Sequence, residues 1–407
     1  MEIMGEPIGM HHKSENYSDK IKVNALFLQK IMDLPHDLIL HDIVTRLPIK
    51  SILQYKSVSK QWYSSISSSC FGNAHFKSSS PNHLPFSCIN SVLIQSKNGY
   101  FLYSFDEDKG ERESCTNNVD YEKGLFRLDI DFDDEISLIG SCNGLVCFYS
   151  LSGYLIVLNP ITHQKTKFMY PLLEGFRDFS FGFGYVSLNN DFKIVRISES
   201  EEKRGIILVH VYSLKTHKWK QVYDERIIHG YSLHRKPTLS GVLVNETLYW
   251  IMYEKGRIEK QGVLGFDLVQ ERFNEVSGLV PSDSYLSCFR FLGCMGGFLG
   301  MGRVTNRGDV SISVSKQNGQ IEYIGLYRDM NLSSCCSVTG FTKSGKFFIQ
   351  LGDQELGLVD PNSSPKKYTR VVRFGNQGSI RVLSYTPSLI SPSTGKAISI
   401  TWLETWS

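Results

Sequence analysis

The chain has 407 residues, 41% of them hydrophobic and 12% aromatic, which suffices for one large globular domain and a small one. The formal net charge is +3 without a basic block, which argues against a nucleic-acid-binding surface. The sequence contains no run of 18 apolar residues, so we expect no membrane span.

The N-terminal residues carry neither a secretory signal pattern nor a hydrophobic period, so residues 1–30 are expected to be a flexible leader. Nine cysteines occur at irregular spacings without a Cys-x-x-Cys pair, which is typical neither of a disulfide framework nor of a zinc site. These features favour a reducing compartment, the cytoplasm or the nucleus. We expect no metal ion and no other cofactor.

Residues 31–70 are the one compact helical segment that the sequence predicts. Asp33 and Pro35 suit the start of a first helix, and Pro48 ends it. Helices this short bury little apolar surface on their own, so part of that surface should meet a partner. Apolar residues recur at helical spacing in two runs, Leu40, Ile43, Val44 and Leu47, then Tyr55, Val58, Trp62 and Ile66. In an α-helix the residues of the first run would share one face.

Three stretches of this segment, Leu34–Leu38, Arg46–Ser51 and Val58–Trp62, resemble the F-box. The F-box is the helical module by which adaptor proteins dock on the Skp subunit of SCF ubiquitin ligases. The resemblance implies a Skp-type partner and, through Skp, a cullin. It assigns Skp binding to Leu34, Pro35, Leu38, Leu47, Pro48, Ile49, Val58 and Trp62.

An alternative is that the apolar residues of this segment only form the core of the helical unit. Pro35, Pro48 and Trp62 are difficult to explain in that way, because so small a unit has little interior. The residues for which the alternative stays open are Leu38, Ile43, Ile52 and Val58.

Residues 71–86 include three consecutive serines and two prolines, a composition that predicts a linker. From residue 87 the apolar residues alternate with polar ones, as in half-buried strands. Lys97-Asn98-Gly99 separates two such runs and predicts a tight hairpin.

This hairpin pattern recurs about every 50 residues between residues 87 and 374. The first four copies place a polar turn residue at separations of 53, 54 and 54 residues. A repeat of this length with about four strands is typical of β-propeller blades. The turn residues are Asp106, Asn159, Ser213 and Asp267, with weaker copies near Ser315 and Asp360.

The sequence therefore predicts a mainly β fold with a small N-terminal α module: a three-helix F-box followed by a propeller of about six blades. A propeller closes when a strand from one end of the domain pairs with the other end. Arg381–Tyr385 and Ala397–Trp402 are the two strand-like runs that could close this one.

Motifs such as Ser141–Cys147, Leu158–Thr162 and Phe181–Tyr185 resemble the F-box-associated domain of the large plant F-box family. That family is related to kelch-type propeller adaptors. The resemblance implies that residues 87–407 form a kelch-like propeller, which captures an unknown target protein for ubiquitination. The candidate target-binding segments are charge-rich connections between strands: Glu199–Gly205, Arg226–Pro237 and Glu254–Gln261.

Three other motifs invite chemical interpretations that their spacing does not favour. The glycine-rich stretch Gly293–Gly302 lacks the Lys-Ser/Thr of a phosphate loop and reads as a strand and turn. Asp129–Glu135 lacks the spacing of a calcium loop, and His229 and His234 lack a second pair of metal ligands.

No catalytic motif is present, so the sequence names no catalytic residue. The predicted function is a non-catalytic substrate adaptor of an SCF ligase. Two alternatives remain at this stage, a kelch-like interaction scaffold outside any ligase and a propeller enzyme.

Overall fold

The computed structural model divides the chain into two compact units, Met1–Ser79 and Ser80–Ser407. No helix in the described part of the chain is long and apolar enough to cross a membrane. The structure describes residues 38–79, 91–97, 99–104, 125–128, 135–200, 202, 206–224, 230–233, 240–255, 257–276, 289–304, 310–315, 321–327, 337–342, 344–351, 355–363, 368–374 and 380–392.

The first unit begins, in its described part, with a π-helical turn, Ile39–Ile43, and a 3₁₀ turn, Val44–Arg46. The α-helices α1 (Ile49–Tyr55), α2 (Lys60–Ile66) and α3 (Ser69–Ser79) follow. The core of this unit consists of the buried side chains of Leu40, Val44, Ile52, Ile66 and Phe71.

The expectation that Ile43 shares a face with Leu40 and Val44 was wrong. Leu40 and Val44 are buried, but the side chain of Ile43 is 47% exposed. The backbone N–H of Val44 donates to the carbonyl of Ile39, so this turn takes up an extra residue. In the wider π turn, residues four apart align and residues three apart do not.

The predicted linker at residues 71–86 was also wrong up to Ser79, because that stretch belongs to α3. The Ser68 hydroxyl accepts a hydrogen bond from the backbone N–H of Phe71 at 3.2 Å, close to the start of this helix. Phe71 and His75, one turn apart, are buried, and His75 Nε2 contacts the carbonyl oxygen of Leu47 at 3.2 Å. The serine-rich composition therefore does not exclude a helix with one buried face.

The second unit is a six-bladed β-propeller, as the sequence predicted. Its strands are β1 (Ser91–Ser96), β2 (Gly99–Ser104), β3 (Leu125–Leu128), β4 (Ile136–Cys142), β5 (Leu145–Ser150), β6 (Tyr154–Leu158), β7 (Lys165–Met169), β8 (Phe176–Val186), β9 (Asp191–Ser200), β10 (Ile207–Ser213), β11 (Lys218–Val222), β12 (Tyr231–Ser232), β13 (Val242–Val244), β14 (Thr247–Glu254), β15 (Arg257–Asp267), β16 (Arg272–Glu275), β17 (Phe289–Met295), β18 (Phe298–Val304), β19 (Val310–Ser315), β20 (Ile321–Tyr327), β21 (Ser337–Phe341), β22 (Phe347–Leu351), β23 (Glu355–Val359), β24 (Tyr368–Arg373) and β25 (Arg381–Tyr385).

Each blade is an antiparallel sheet. Blade 1 has the strand order β25-β1-β2-β3, so β25, the last of the described strands, completes the sheet that β1 to β3 begin. Blades 2 to 6 are β4–β7, β8–β11, β12–β16, β17–β20 and β21–β24. In blade 4 the innermost position is divided between the short strands β12 and β13, which pair with opposite ends of β14.

The ring is closed by β25. It pairs with β1 from Ser91↔Tyr385 to Gln95↔Arg381, so Arg381–Tyr385 is the closing strand that the sequence offered as one of two candidates. The other candidate, Ala397–Trp402, lies outside the described residues. The inner strands β25, β4, β8, β13, β17 and β21 contact one another in that order around the ring.

The antiparallel order gives the propeller two rims. Rim A carries the turns between the first and second strands and between the third and fourth strands of each blade. Rim B carries the turns between the second and third strands and the connections from one blade to the next.

The core consists of apolar layers between neighbouring blades. The largest described layer joins blades 3 and 4, where Val195, Ile197 and Val209 pack with Trp250 and Phe266. The Trp250 indole N–H donates to the Ser180 hydroxyl at 3.1 Å. Trp250 also needs Gly241, because a Cβ there would approach the indole ring to 2.5 Å. The propeller thus has a core of its own.

The chain after β25 is held by the side chain of Asn159, one of the predicted turn residues. Its amide nitrogen donates to the carbonyls of Ser388 and Ile390 at 2.9 and 2.7 Å, and its amide oxygen accepts from Ile161 N at 2.8 Å. The Ser388 hydroxyl in turn donates to the Asn143 carbonyl at 2.7 Å. We call Ser388–Ile390 the closure segment, because these contacts tie the end of the domain to blade 2.

We predict that Asn159→Ala destabilises the propeller by roughly 2 to 4 kcal/mol, because it leaves several buried backbone groups without partners. The measurement is urea unfolding of the full-length chain with wild type as reference. Asn189→Ala, at an exposed position on rim A, is the matched control and should leave the midpoint unchanged. A wild-type midpoint for Asn159→Ala would show that these hydrogen bonds do not hold the closure.

A second polar link joins blades 3 and 4 on rim A. The Lys193 ammonium, 7% exposed, lies 2.8 Å from Glu271 Oε1 and donates to the Leu268 carbonyl at 2.6 Å. Lys220 lies 2.6 Å from Glu271 Oε2. Burial opposes ionisation of Glu271, but the hydrogen bonds and charges of the two lysines outweigh it and lower the pKa of this carboxyl.

We predict that Glu271→Gln lowers the free energy of unfolding at neutral pH and that this loss shrinks as the pH falls below about 4. A carboxyl with a lowered pKa stabilises the fold above its unfolded pKa of about 4.3, and that stabilisation disappears as the pH falls through its folded pKa. Unfolding curves between pH 3 and 7 provide the measurement, with the exposed Glu174→Gln as control. A loss that is independent of pH would contradict the assignment.

Candidate interaction sites

The first candidate site surrounds the turn between α1 and α2. Ser59 caps α2 by accepting a hydrogen bond from the Trp62 N–H at 3.2 Å. This cap places the Trp62 ring next to the Tyr55 ring, with centroids 5.7 Å apart. Val58, in the turn between them, is 62% exposed. The turn therefore presents apolar and aromatic groups at the surface, as a docking site requires.

The other residues assigned to Skp binding are distributed between the surface and the edge of the core. Leu38 is 43% exposed and Pro48 is exposed, whereas Leu47, Ile49 and Trp62 are half-buried. Two further assigned residues, Leu34 and Pro35, lie outside the described residues.

The alternative that these apolar residues only form a core holds for one residue of four. Ile52 is completely buried, whereas Leu38, Ile43 and Val58 are exposed by 43%, 47% and 62%. Three exposed residues of the described helical unit, Ile43, Tyr55 and Tyr63, were missing from the predicted docking set. Helical periodicity could not identify Ile43, because it assumes an α-helix where the chain forms a π turn.

The second candidate site is on rim B of blades 3 and 4, where the described parts of all three predicted target-binding segments lie. The described residues of Arg226–Pro237, numbers 230–233, run between the other two segments. The Leu233 N–H donates to Glu199 Oε2 at 2.7 Å, and the Lys255 N–H donates to the Gly230 carbonyl at 2.9 Å. Residues 230–233 thus connect Glu199 with Lys255, which is 56 residues further along the sequence.

The character of these segments differs from the prediction. They were expected to be connections, but Glu199 lies in β9, Tyr231 in β12, and most of Glu254–Gln261 in β14 and β15. The strands continue into charged residues here, so the sequence pattern does not show where the strands end.

Tyr231, in the middle of these segments, is neutral. Burial raises the pKa of its phenol, and the charge of Glu275 and the hydrogen bond to Glu275 raise it further, to about 12. The phenol therefore stays protonated at neutral pH.

Rim B also carries exposed apolar side chains that the sequence analysis did not identify. Leu151, Met169 and Leu172, on blade 2 and its connection to blade 3, are 76%, 62% and 73% exposed. The side chains of Met169 and Leu172 both lie over Gly153, within 3.6 Å of the place where its Cβ would be. Contiguous exposed apolar side chains are typical of interaction surfaces, so this part of rim B is a candidate for one.

The described residues provide no support for a metal site or a phosphate-binding loop. The glycine-rich stretch is the β17–β18 hairpin with its turn at Gly296 and Gly297, as expected of a strand and turn. Within the described ranges no three His, Cys, Asp or Glu side chains come together as a metal site. His229 and His234, and all of Asp129–Glu135 except Glu135, lie outside those ranges.

The chain thus consists of two units. The helical unit exposes apolar side chains, and the closed propeller has its own core and exposes apolar and charged side chains on rim B. This arrangement is typical of a binding protein with two interaction surfaces. The family model of the F-box domain matches residues 31–73, and that of the F-box associated beta propeller domain matches residues 92–392. The chain therefore belongs to the F-box proteins with an F-box-associated β-propeller. F-box domains in general bind Skp-type adaptors.

The chain is similar to several F-box proteins of Arabidopsis thaliana. A putative F-box protein is 28% identical over 248 residues, which cover 60% of this chain and 50% of the relative. An F-box/kelch-repeat protein is 24% identical over 376 residues, covering 88% and 97%. The F-box protein CPR1 is 28% identical over 264 residues, covering 60% and 59%. The chain thus spans about half the length of the first relative and nearly all of the second.

Proposed function

We propose that this chain is the substrate-recognition adaptor of an SCF (Skp–cullin–F-box) ubiquitin ligase that acts in the cytoplasm or the nucleus. The F-box docks on a Skp-type subunit and, through it, on a cullin, while the propeller captures a target protein for ubiquitination. One observation carries the proposal: the residues that match the F-box keep apolar side chains exposed although the unit has a core of its own.

The adaptor acts by proximity. When one chain holds the ligase and the target together, transfer of ubiquitin to a target lysine becomes effectively intramolecular, and the effective concentration of that lysine rises. No residue of this chain takes part in bond chemistry in this proposal. The rate then depends on two affinities, one for each unit.

Docking on Skp should depend on a few apolar side chains rather than on the whole helical surface. Binding energy at interfaces concentrates in buried anchors, and aromatic residues are enriched among them. Trp62, held against Tyr55 by the Ser59 cap, is the best-placed aromatic anchor. The exposed Val58 and Leu38 would lose their contact with water on docking.

We predict that the double variant Leu38→Asp/Val58→Asp weakens binding to a purified Skp-type subunit by at least about tenfold, because it introduces charge into an apolar interface. Both positions are exposed, so the helical unit should stay folded, which circular dichroism checks. Leu188→Asp, at an 81% exposed position on rim A, is the control and should bind like wild type. Wild-type affinity of the double variant would refute the docking surface.

We further propose that the target binds rim B of blades 2 to 4. The three candidate segments meet there, and the exposed Leu151, Met169 and Leu172 extend the same rim. Apolar side chains next to charged segments provide both the buried centre and the polar edge of a protein interface.

We predict that Met169→Asp/Leu172→Asp abolishes capture of the target and leaves Skp binding unchanged. Proximity labelling with proteasome inhibition compares the proteins recovered by wild type, the double variant and Leu188→Asp. Proteins recovered by wild type and Leu188→Asp, but not by the double variant, are the expected result. Equal recovery by all three would place the target site elsewhere.

A further inference from the structure

Three buried polar side chains without a complete set of partners lie together between blades 2 and 3. Arg196 is 2% exposed, Ser198 is fully buried and His210 is 9% exposed. Arg196 Nε, Ser198 Oγ and His210 Nδ1 form no hydrogen bond in the described structure. Buried polar groups are nearly always satisfied, so three such atoms in one place indicate a missing partner.

The strand register explains why these groups are neighbours. Arg196 on β9 is directly opposite His210 on β10, so their side chains share one face of blade 3. Ser198 lies two residues further along β9 and therefore on the same face. Blade 2 covers this face through Tyr170 and Pro171, which follow β7 on rim B.

The guanidinium of Arg196 is only partly compensated by its surroundings. One terminal nitrogen donates to the Pro171 carbonyl, and the group lies 4.8 Å from the Tyr170 ring and 5.3 Å from the Phe179 ring. The faces of the two aromatic rings attract the positive charge of the guanidinium. The rings do not provide a hydrogen-bond acceptor for the Nε–H, which points outward in the guanidinium plane.

None of the described carboxylates pairs with this charge. Glu199, the next residue of β9, points to the opposite face of the strand and accepts the Leu233 N–H. Burial is the main cause that lowers the pKa of both Arg196 and His210, and the charge of Arg196 adds to the effect on His210. Because a guanidinium keeps its proton in proteins, a positive charge remains buried here.

Water would complete the hydrogen bonds but would leave the charge uncompensated. An anion satisfies both requirements, because Arg196 Nε–H, the Ser198 hydroxyl and a protonated Nδ1 of His210 are all donors. The near-complete burial of the three side chains limits the anion to one small enough to be enclosed between the blades.

We propose that Arg196, Ser198 and His210 form a binding site for a small monovalent anion of halide or carboxylate size. The anion would fix blade 3 to the connection that follows β7, which carries Leu172. The site goes beyond the proposed adaptor function and does not depend on it, since it concerns the stability of the propeller alone.

Bromide is the probe for the test. The thermal midpoint of the full-length chain is measured as sodium bromide replaces sodium gluconate at constant ionic strength, because gluconate is too large to be enclosed. The variants are wild type, Arg196→Met, which keeps an apolar stem, and Arg381→Met. Arg381 is the matched control, since it also joins two blades by donating to a backbone carbonyl, that of Leu138 at 3.0 Å.

A saturable rise of the midpoint with bromide is expected for wild type and Arg381→Met and should be lost in Arg196→Met. General salt effects act on all three proteins, so the difference between them reports the site. Ser198→Ala provides a second variant if Arg196→Met does not fold; it should weaken the apparent affinity for bromide about five- to tenfold, the usual effect of one hydrogen bond. Sodium acetate should act like bromide.

Anomalous diffraction from crystals grown in bromide should show a peak in contact with Arg196 Nε. A bromide response that is identical in wild type, Arg196→Met and Ser198→Ala would overturn the proposal. So would a water in place of the anomalous peak, because the site would then be hydrated rather than occupied by an anion.

Discussion

The structure depends on the closure of the propeller ring by β25. A single four-stranded blade cannot cover its own two faces, so every blade relies on both neighbours, and the ring has no free end only when β25 pairs with β1. Asn159 secures this pairing by holding the closure segment through two hydrogen bonds. The positions of both rims, and of every residue on them, follow from this closure.

Closure also explains how one chain could carry the two proposed binding functions. Since the propeller buries its core between blades, it needs no apolar surface from the helical unit to be stable. The helical unit has its own small core and keeps Leu38 and Val58 exposed. Each unit can therefore present a separate surface to a separate partner, which is what an adaptor that works by proximity requires.

The sequence predicts most of the fold because the propeller repeats a local pattern. The spacing from Asn159 to Asp267 reflects blades of equal length, and hairpins are recognisable from their turns. The predictions that were wrong concern features set by contacts that do not recur from one repeat to the next. Ile43 is turned outward by a π turn, and α3 exists because Phe71 and His75 find buried positions in the helical unit. The exposed Leu172 and the buried Arg196 depend on packing between blades, which no local pattern records.

The central claim is that the helical unit recruits the ligase and the propeller recruits the target. Affinity purification with proteasome inhibition, comparing the full-length chain with one lacking residues 1–79, tests it most directly. We expect the deletion to remove Skp, cullin and ubiquitinated target from the purified material while the unmodified target stays bound to the propeller. Recovery of cullin with the truncated chain, or its absence with the full-length chain, would contradict the account.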